Sequence, residues 1–199
     1  MRSIRWPLTM ATGTGIVALV AITSVLVATP DLAYAKGPGR ACVFIAPSEA
    51  NGLGHVGWGY QVGGTDTYVY GATEGPTSWW PGAPNGAWKA TGPWPQVLAD
   101  FAGANPNVTN HYTQYRCKTV RDSAVGAAND QVNHVLQSGY FVFWWNCLDD
   151  MIRVLNAYGA DLPPAADYPI PNRYFHQALE EWGASPWSGI EHLPGVDGG

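Results

Sequence analysis

The stretch Asn146-Cys147-Leu148-Asp149-Asp150-Met151-Ile152-Arg153-Val154-Leu155-Asn156-Ala157-Tyr158-Gly159 reads as a helix with both ends marked. Asn146 can cap the first turn, Asp149 and Asp150 suit the positive end of the helix dipole, and Gly159 provides the stop. Just upstream, Tyr140 to Trp145 is a run of six aromatic or β-branched residues, which predicts a strand buried on both faces. The sequence therefore places a thiol, Cys147, at the first turn of a helix entered from a buried strand. Unpaired amide donors and partial positive charge at such a turn stabilise a thiolate. The adjacent carboxylates of Asp149 and Asp150 oppose it, so an imidazolium is needed to complete a nucleophile.

Working outward, Val125, Ala128, Val132 and Val135 or Leu136 recur at helical spacing. They predict an amphipathic helix over Val120 to Gln137, capped by Thr119 or Asp122 and ended near Gly139. Ala41 to Ile45 is a short apolar strand. His55 to Val62 and Thr67 to Ala72 read as two strands joined across Gly63-Gly64-Thr65-Asp66, a hairpin signal. Between Gly75 and Pro106 stand six prolines with Trp79, Trp80, Trp88 and Trp94 among them, which leaves room only for a short element near Gln96 to Phe101. Val108 to Cys117 looks extended, with Asn107-Val108-Thr109 matching a glycosylation sequon, and a last helix runs from Arg173 to Trp182. The expected class is α+β: a small antiparallel sheet with packed helices and a Trp/Pro-rich insertion.

Composition narrows the function. The chain has 199 residues, 46% hydrophobic and 13% charged, with 24 Gly, 16 Pro and 10 Trp, which excludes a disordered chain and a long helical bundle. Ten Lys and Arg face 15 Asp and Glu, so the basic stripe that a nucleic-acid partner demands is missing. Arg2 and Arg5, an apolar run from Ile16 to Ala28 and the small-x-small site Ala33-Tyr34-Ala35 have the three parts of a secretory signal peptide. The expected organisation is a signal peptide over 1–35 and a single domain over 36–199, secreted to the exterior or the cell wall. No second apolar stretch is long enough to span a bilayer, so no stable membrane insertion is expected after cleavage.

Three cysteines remain in the exported part. Cys42 opens one strand-like run and Cys117 closes another, so a bridge between two strand ends is the expected pairing and Cys147 is the free thiol. Of five histidines, His55 has the most suggestive setting, Gly52-Leu53-Gly54-His55-Val56-Gly57-Trp58-Gly59, where glycines let another element approach the imidazole. The competing reading is an ordinary exposed strand histidine. No histidine has metal-ligand spacing to another histidine or to a cysteine, so neither a zinc site nor a cofactor is expected.

The order of Gly54-His55-Val56-Gly57, a second strand Thr67-Tyr68-Val69-Tyr70-Gly71-Ala72, then Tyr140, Asn146-Cys147 and a helix ending Leu155-Asn156-Ala157-Tyr158-Gly159 resembles the circularly permuted NlpC-like papain fold of lecithin:retinol acyltransferase-like proteins. The resemblance covers about 55–159 discontinuously and does not account for the Trp/Pro-rich insertion. It implies Cys147 as nucleophile, His55 as its base and amides at the helix start as an oxyanion hole. It also implies a third polar residue on the strand after the histidine. The matching position here is Gly71, and Tyr70 or Glu74 can substitute. The implied reaction is acyl transfer through a thioester, hydrolysing an amide or ester in a cell-wall peptide or a lipid. Trp79, Trp80, Trp88 and Trp94 form either a platform for a glycan or lipid edge or ordinary packing. The rival class is a secreted, non-catalytic binding module with an aromatic carbohydrate- or lipid-binding surface.

Overall fold

In a computed structural model of the chain, the described residues are 37–75, 83–141, 143, 145–183 and 186–196. All of them belong to one unit, Leu32–Gly199. The signal-peptide reading of 1–35, and Trp79 and Trp80, lie outside the described residues. Six strands form one antiparallel sheet: β1 (Gly39–Ala46), β2 (His55–Gln61), β3 (Thr67–Thr73), β5 (Ala87–Pro93), β6 (Gln114–Val120) and β8 (Glu191–His192), in the order β5-β3-β2-β1-β6-β8. The short strands β4 (Ala83–Pro84) and β7 (Gly139–Tyr140) pair with each other. With its packed helices, this is the α+β, antiparallel class that the sequence predicts.

Strand alternation separates two cores. Val43 and Ile45 of β1, Val56, Trp58 and Tyr60 of β2 and Val69 of β3 face the helices Val125–Gln137 and Cys147–Tyr158 and the helical segment 171–181. Phe44, Tyr68, Tyr70 and Ala72 face the other way, against helix Trp94–Ala99, Phe101 and Tyr112. Among the described residues no helix is long and apolar enough to cross a membrane.

Cys42 and Cys117 stand directly opposite each other on β1 and β6 and form a disulfide with Cα atoms 4.1 Å apart. They are the expected pair, although each lies inside its strand and not at a strand end.

Four local readings are corrected. Segment 87–93, expected to be irregular, is strand β5: its one proline, Pro93, sits at the strand end, where a missing donor is tolerated. The amphipathic helix starts at Val125, after β6 has run on to Val120, and neither Thr119 nor Asp122 caps it. The extended run expected over 108–117 becomes strand only from Gln114. In the aromatic run read as a strand buried on both faces, Phe141 and Trp145 instead pair with each other, and Phe143 is 61% and Trp145 42% exposed.

Candidate active site

The Cys147 helix is built as its sequence reads. Asn146 Oδ1 accepts the amides of Leu148 and Asp149 at 2.9 and 3.2 Å. Gly159 ends the helix in the left-handed conformation, φ 104°, with its amide returned to Leu155 and Asn156. The apolar face, with Leu148, Met151, Ile152, Val154 and Leu155, is buried against the sheet, and this packing brings the first turn to the end of the sheet where β2 begins.

At that end the hairpin register decides which side chains meet. Gly57 pairs with Ala72 and Trp58 with Gly71. Carried two residues further, the same register sets His55 opposite Glu74, on one face of the sheet. The His55 Nε2 to Glu74 Oε2 distance is 3.9 Å, with the two side chains only 9% and 3% exposed. The Cys147 side chain lines one pocket with His55 and is close enough to it to act on its charge. Three residues from three elements, 92 positions apart at the extreme, thus line up as Cys147, His55 and Glu74. They line a pocket of about 410 Å³ together with Glu49, Asn110 and Tyr140.

Burial is the largest influence on His55 and lowers its pKa. The negative charge of Cys147, then the carboxylates of Glu74 and Glu49, act in the opposite direction and leave the imidazole above its ordinary value. Protonated His55 is thus favoured next to the sulfur, as an ion pair of thiolate and imidazolium requires. Asp150, one of the two carboxylates expected to oppose the thiolate, has its pKa pushed up to about 6, first by burial. A hydrogen bond from Thr73 Oγ1, 2.9 Å from Asp150 Oδ2, partly offsets that shift. Asp149 is also shifted upward by burial. The opposition is therefore weaker than the bare sequence suggests.

Of the two candidates for the third position, the structure brings Glu74 to His55 and sends Tyr70 elsewhere. Tyr70 lies four residues closer to the hairpin turn, about 13 Å along the strand, and donates its hydroxyl to Asp100 Oδ2 at 2.5 Å. Gly71, where the resemblance looks for the polar residue, has no room for one: a Cβ there would stand 2.1 Å from the Trp88 carbonyl oxygen. Of the tryptophans read as a platform, Trp88 is buried and donates Nε1 to Glu74 Oε1 at 3.3 Å, and Trp94 is half-buried under the Arg40 guanidinium.

Sequence reasoning missed the residues that hold Glu74. Tyr112 donates its hydroxyl to Glu74 Oε1 at 2.9 Å. The Asn110 amide and the Thr109 hydroxyl reach Oε2 at 3.2 and 3.3 Å, and Asn110 Nδ2 is bonded there too. The segment has no periodicity, and its only local signal is a row of donor side chains, Thr109, Asn110 and Tyr112, ahead of β6.

No protein-family model matches the chain, and no curated protein matches it. Among solved structures, the chain is similar to the type VI secretion system effector TseH, with a TM-score of 0.51 and 16% identity over 71% of this chain and 88% of that one. At that identity the likeness concerns the fold.

Proposed function

We propose that this chain is a secreted cysteine hydrolase of the permuted papain-like type, acting on an amide or ester carbonyl. The single observation that carries the reading is that Cys147, at the first turn of its helix, and His55 line one pocket, with Glu74 3.9 Å behind the imidazole. His55 takes the proton of the Cys147 thiol, and the sulfur bonds to the substrate carbonyl carbon. The carbonyl oxygen gains negative charge and is met by the Cys147 amide at the helix start, the Asn146 cap being engaged with the amides of Leu148 and Asp149. Collapse breaks the bond to the leaving amine or alcohol, which receives the proton from His55. Water, deprotonated by His55, then attacks the thioester, releasing the acid and restoring the thiol. Glu74 keeps the imidazole oriented and favours its protonated form. Export by the N-terminal 1–35 segment and a single domain over 36–199 belong to the same reading, as does a substrate in a cell-wall peptide or a lipid.

Alkylation by iodoacetamide, followed by mass spectrometry of the Cys147 peptide, tests the site without knowledge of the substrate. At pH 6 the folded protein should react about tenfold faster than a free thiol of ordinary pKa near 8.5, and His55→Ala should remove the advantage. A wild-type rate that simply follows free cysteine between pH 5 and 9 would sink the proposal. Purified peptidoglycan and phosphatidylcholine vesicles, each incubated with wild type and Cys147→Ala, then separate cell-wall peptide from lipid: the live enzyme should release product from one of them. The binding-module alternative predicts equal retention on a substrate by both proteins with no release.

A further inference from the structure

In the loop before β6, Tyr112 touches both members of the His55–Glu74 pair. Tyr112 is 1% exposed. Its hydroxyl donates to Glu74 Oε1 at 2.9 Å, and its ring meets the His55 ring edge-on, with centroids 5.9 Å apart and planes at 65°. Phe101 packs edge-on against the same ring at 4.9 Å, so the tyrosine is held from behind. His55 Nε2 is buried and finds no hydrogen-bond partner among the described residues, since Glu74 Oε2, 3.9 Å away, is engaged by Asn110 and Thr109. The imidazole thus depends on Glu74 as a charge held at a fixed distance, not as a direct acceptor.

We infer that Tyr112 is a positioning residue of the site: it holds the Glu74 carboxylate in place behind the imidazole and bounds the imidazole ring, and so governs how firmly an imidazolium is kept beside the Cys147 sulfur. The inference rests on the catalytic reading given above. A buried carboxylate keeps its place only while donors satisfy it. With the Tyr112 hydroxyl gone, Glu74 is held less firmly behind His55, and the imidazolium loses part of the negative charge that favours it. Alkylation of Cys147 at low pH then falls. The groups facing His55 are Cys147 from its helix, Glu74 from the end of β3, Glu49 from the turn before β2 and Tyr112 from the loop. Glu49 remains in the variants below and supplies a constant background.

The test is the pH profile of Cys147 alkylation by iodoacetamide in Tyr112→Phe, which keeps the ring, and in Tyr112→Phe combined with Glu74→Gln. Tyr112→Phe should move the acid limb up by about half a pH unit and lower the rate at pH 6 about threefold, with the rate near pH 9 unchanged. In the Glu74→Gln background the same change should have no further effect. A merely structural hydroxyl would lower the melting temperature without moving the limb, and that outcome overturns the inference. If Glu74→Gln does not fold, the Tyr112→Phe limb against wild type decides alone. A wild-type profile identical to free cysteine refutes the catalytic reading itself. A shifted wild-type limb left unmoved by Tyr112→Phe refutes only the role of Tyr112.

Discussion

Thr73, the last residue of β3, donates its hydroxyl to Asp150 Oδ2 at 2.9 Å, and both side chains are buried. Thr73 immediately precedes Glu74, and Asp150 lies three residues beyond Cys147 on the helix. This hydrogen bond fastens the strand end that carries Glu74 to the helix turn that carries the sulfur. By strand alternation Thr73 and Glu74 point to opposite faces, so one grips the helix while the other faces His55.

Thr73→Val keeps the shape and removes the donor. It should cost about 1.5 to 3 kcal/mol where Asp150 is charged, because a buried carboxylate then loses its hydrogen bond. The bond lowers the Asp150 pKa, so it favours the charged form. The loss should therefore be larger at pH 8 than at pH 5. Urea denaturation at both values checks this, and an equal loss at both would show that the hydroxyl does not act through the charge.

Asp150→Asn addresses the carboxylate directly. Its folded-state pKa of about 6 stands above the ordinary carboxyl value of 3.8, so folding favours the protonated form. The stability associated with that group is full below about pH 4 and is lost as the pH rises through about 6. The amide carries no charge and should escape the loss. Above pH 7 the variant should therefore be more stable than wild type by about 1 to 3 kcal/mol, and the difference should vanish or reverse near pH 4. Parallel pH dependence of the two proteins in urea titrations would contradict this.

Cys42 and Cys117 join adjacent strands across a sequence separation of 75 residues. Closing a loop of that length in the unfolded chain contributes about 4 kcal/mol on entropic grounds, so Cys42→Ala with Cys117→Ala should lower stability by about that amount. Thiol counting after denaturation without reductant should find one reactive cysteine in wild type, Cys147. Labelling of Cys42 or Cys117 in the oxidised protein would refute the bridge.

The legible parts of this fold are those fixed by neighbouring residues. The Cys147 helix could be read because Asn146 and Gly159 are chemical end-marks, and the β2–β3 hairpin because its turn is glycine-rich. That hairpin also contained the His55–Glu74 relation, since a turn over 63–66 fixes the register, and the register places the two residues opposite each other. Local pattern failed where tertiary packing decides. Segment 87–93 reads as a proline-broken loop, yet β3 supplies a partner for a strand there. The aromatic run 140–145 has strand composition, yet Phe141 and Trp145 bond to each other. The meeting of Cys147 with His55 follows from helix packing over 92 positions, and only the resemblance to a permuted fold anticipated it.

Gly71 shows why a polar side chain cannot stand beside His55 at the position the resemblance indicates. Its partner across the strand pair is Lys89, and the Trp88 carbonyl approaches so closely that an added Cβ would stand 2.1 Å from the oxygen and 2.8 Å from the Trp58 ring. Backbone on one side and a fully buried indole on the other leave nothing that can move aside cheaply. Gly71→Ala should therefore destabilise the protein by about 3 kcal/mol or more, by forcing β3 and β5 apart. Gly71→His, which would install the polar residue that the resemblance looks for, should be worse still and should not raise Cys147 alkylation. The carboxylate that does lie beside the imidazole, Glu74 at 3.9 Å, stands three residues further on, just beyond the last paired position of β3; in the proposed reading it takes the polar role. Thermal melts of both variants, with alkylation at pH 6, check the argument: a folded Gly71→His protein with faster alkylation would mean that the strand pair tolerates the side chain and that Glu74 is dispensable.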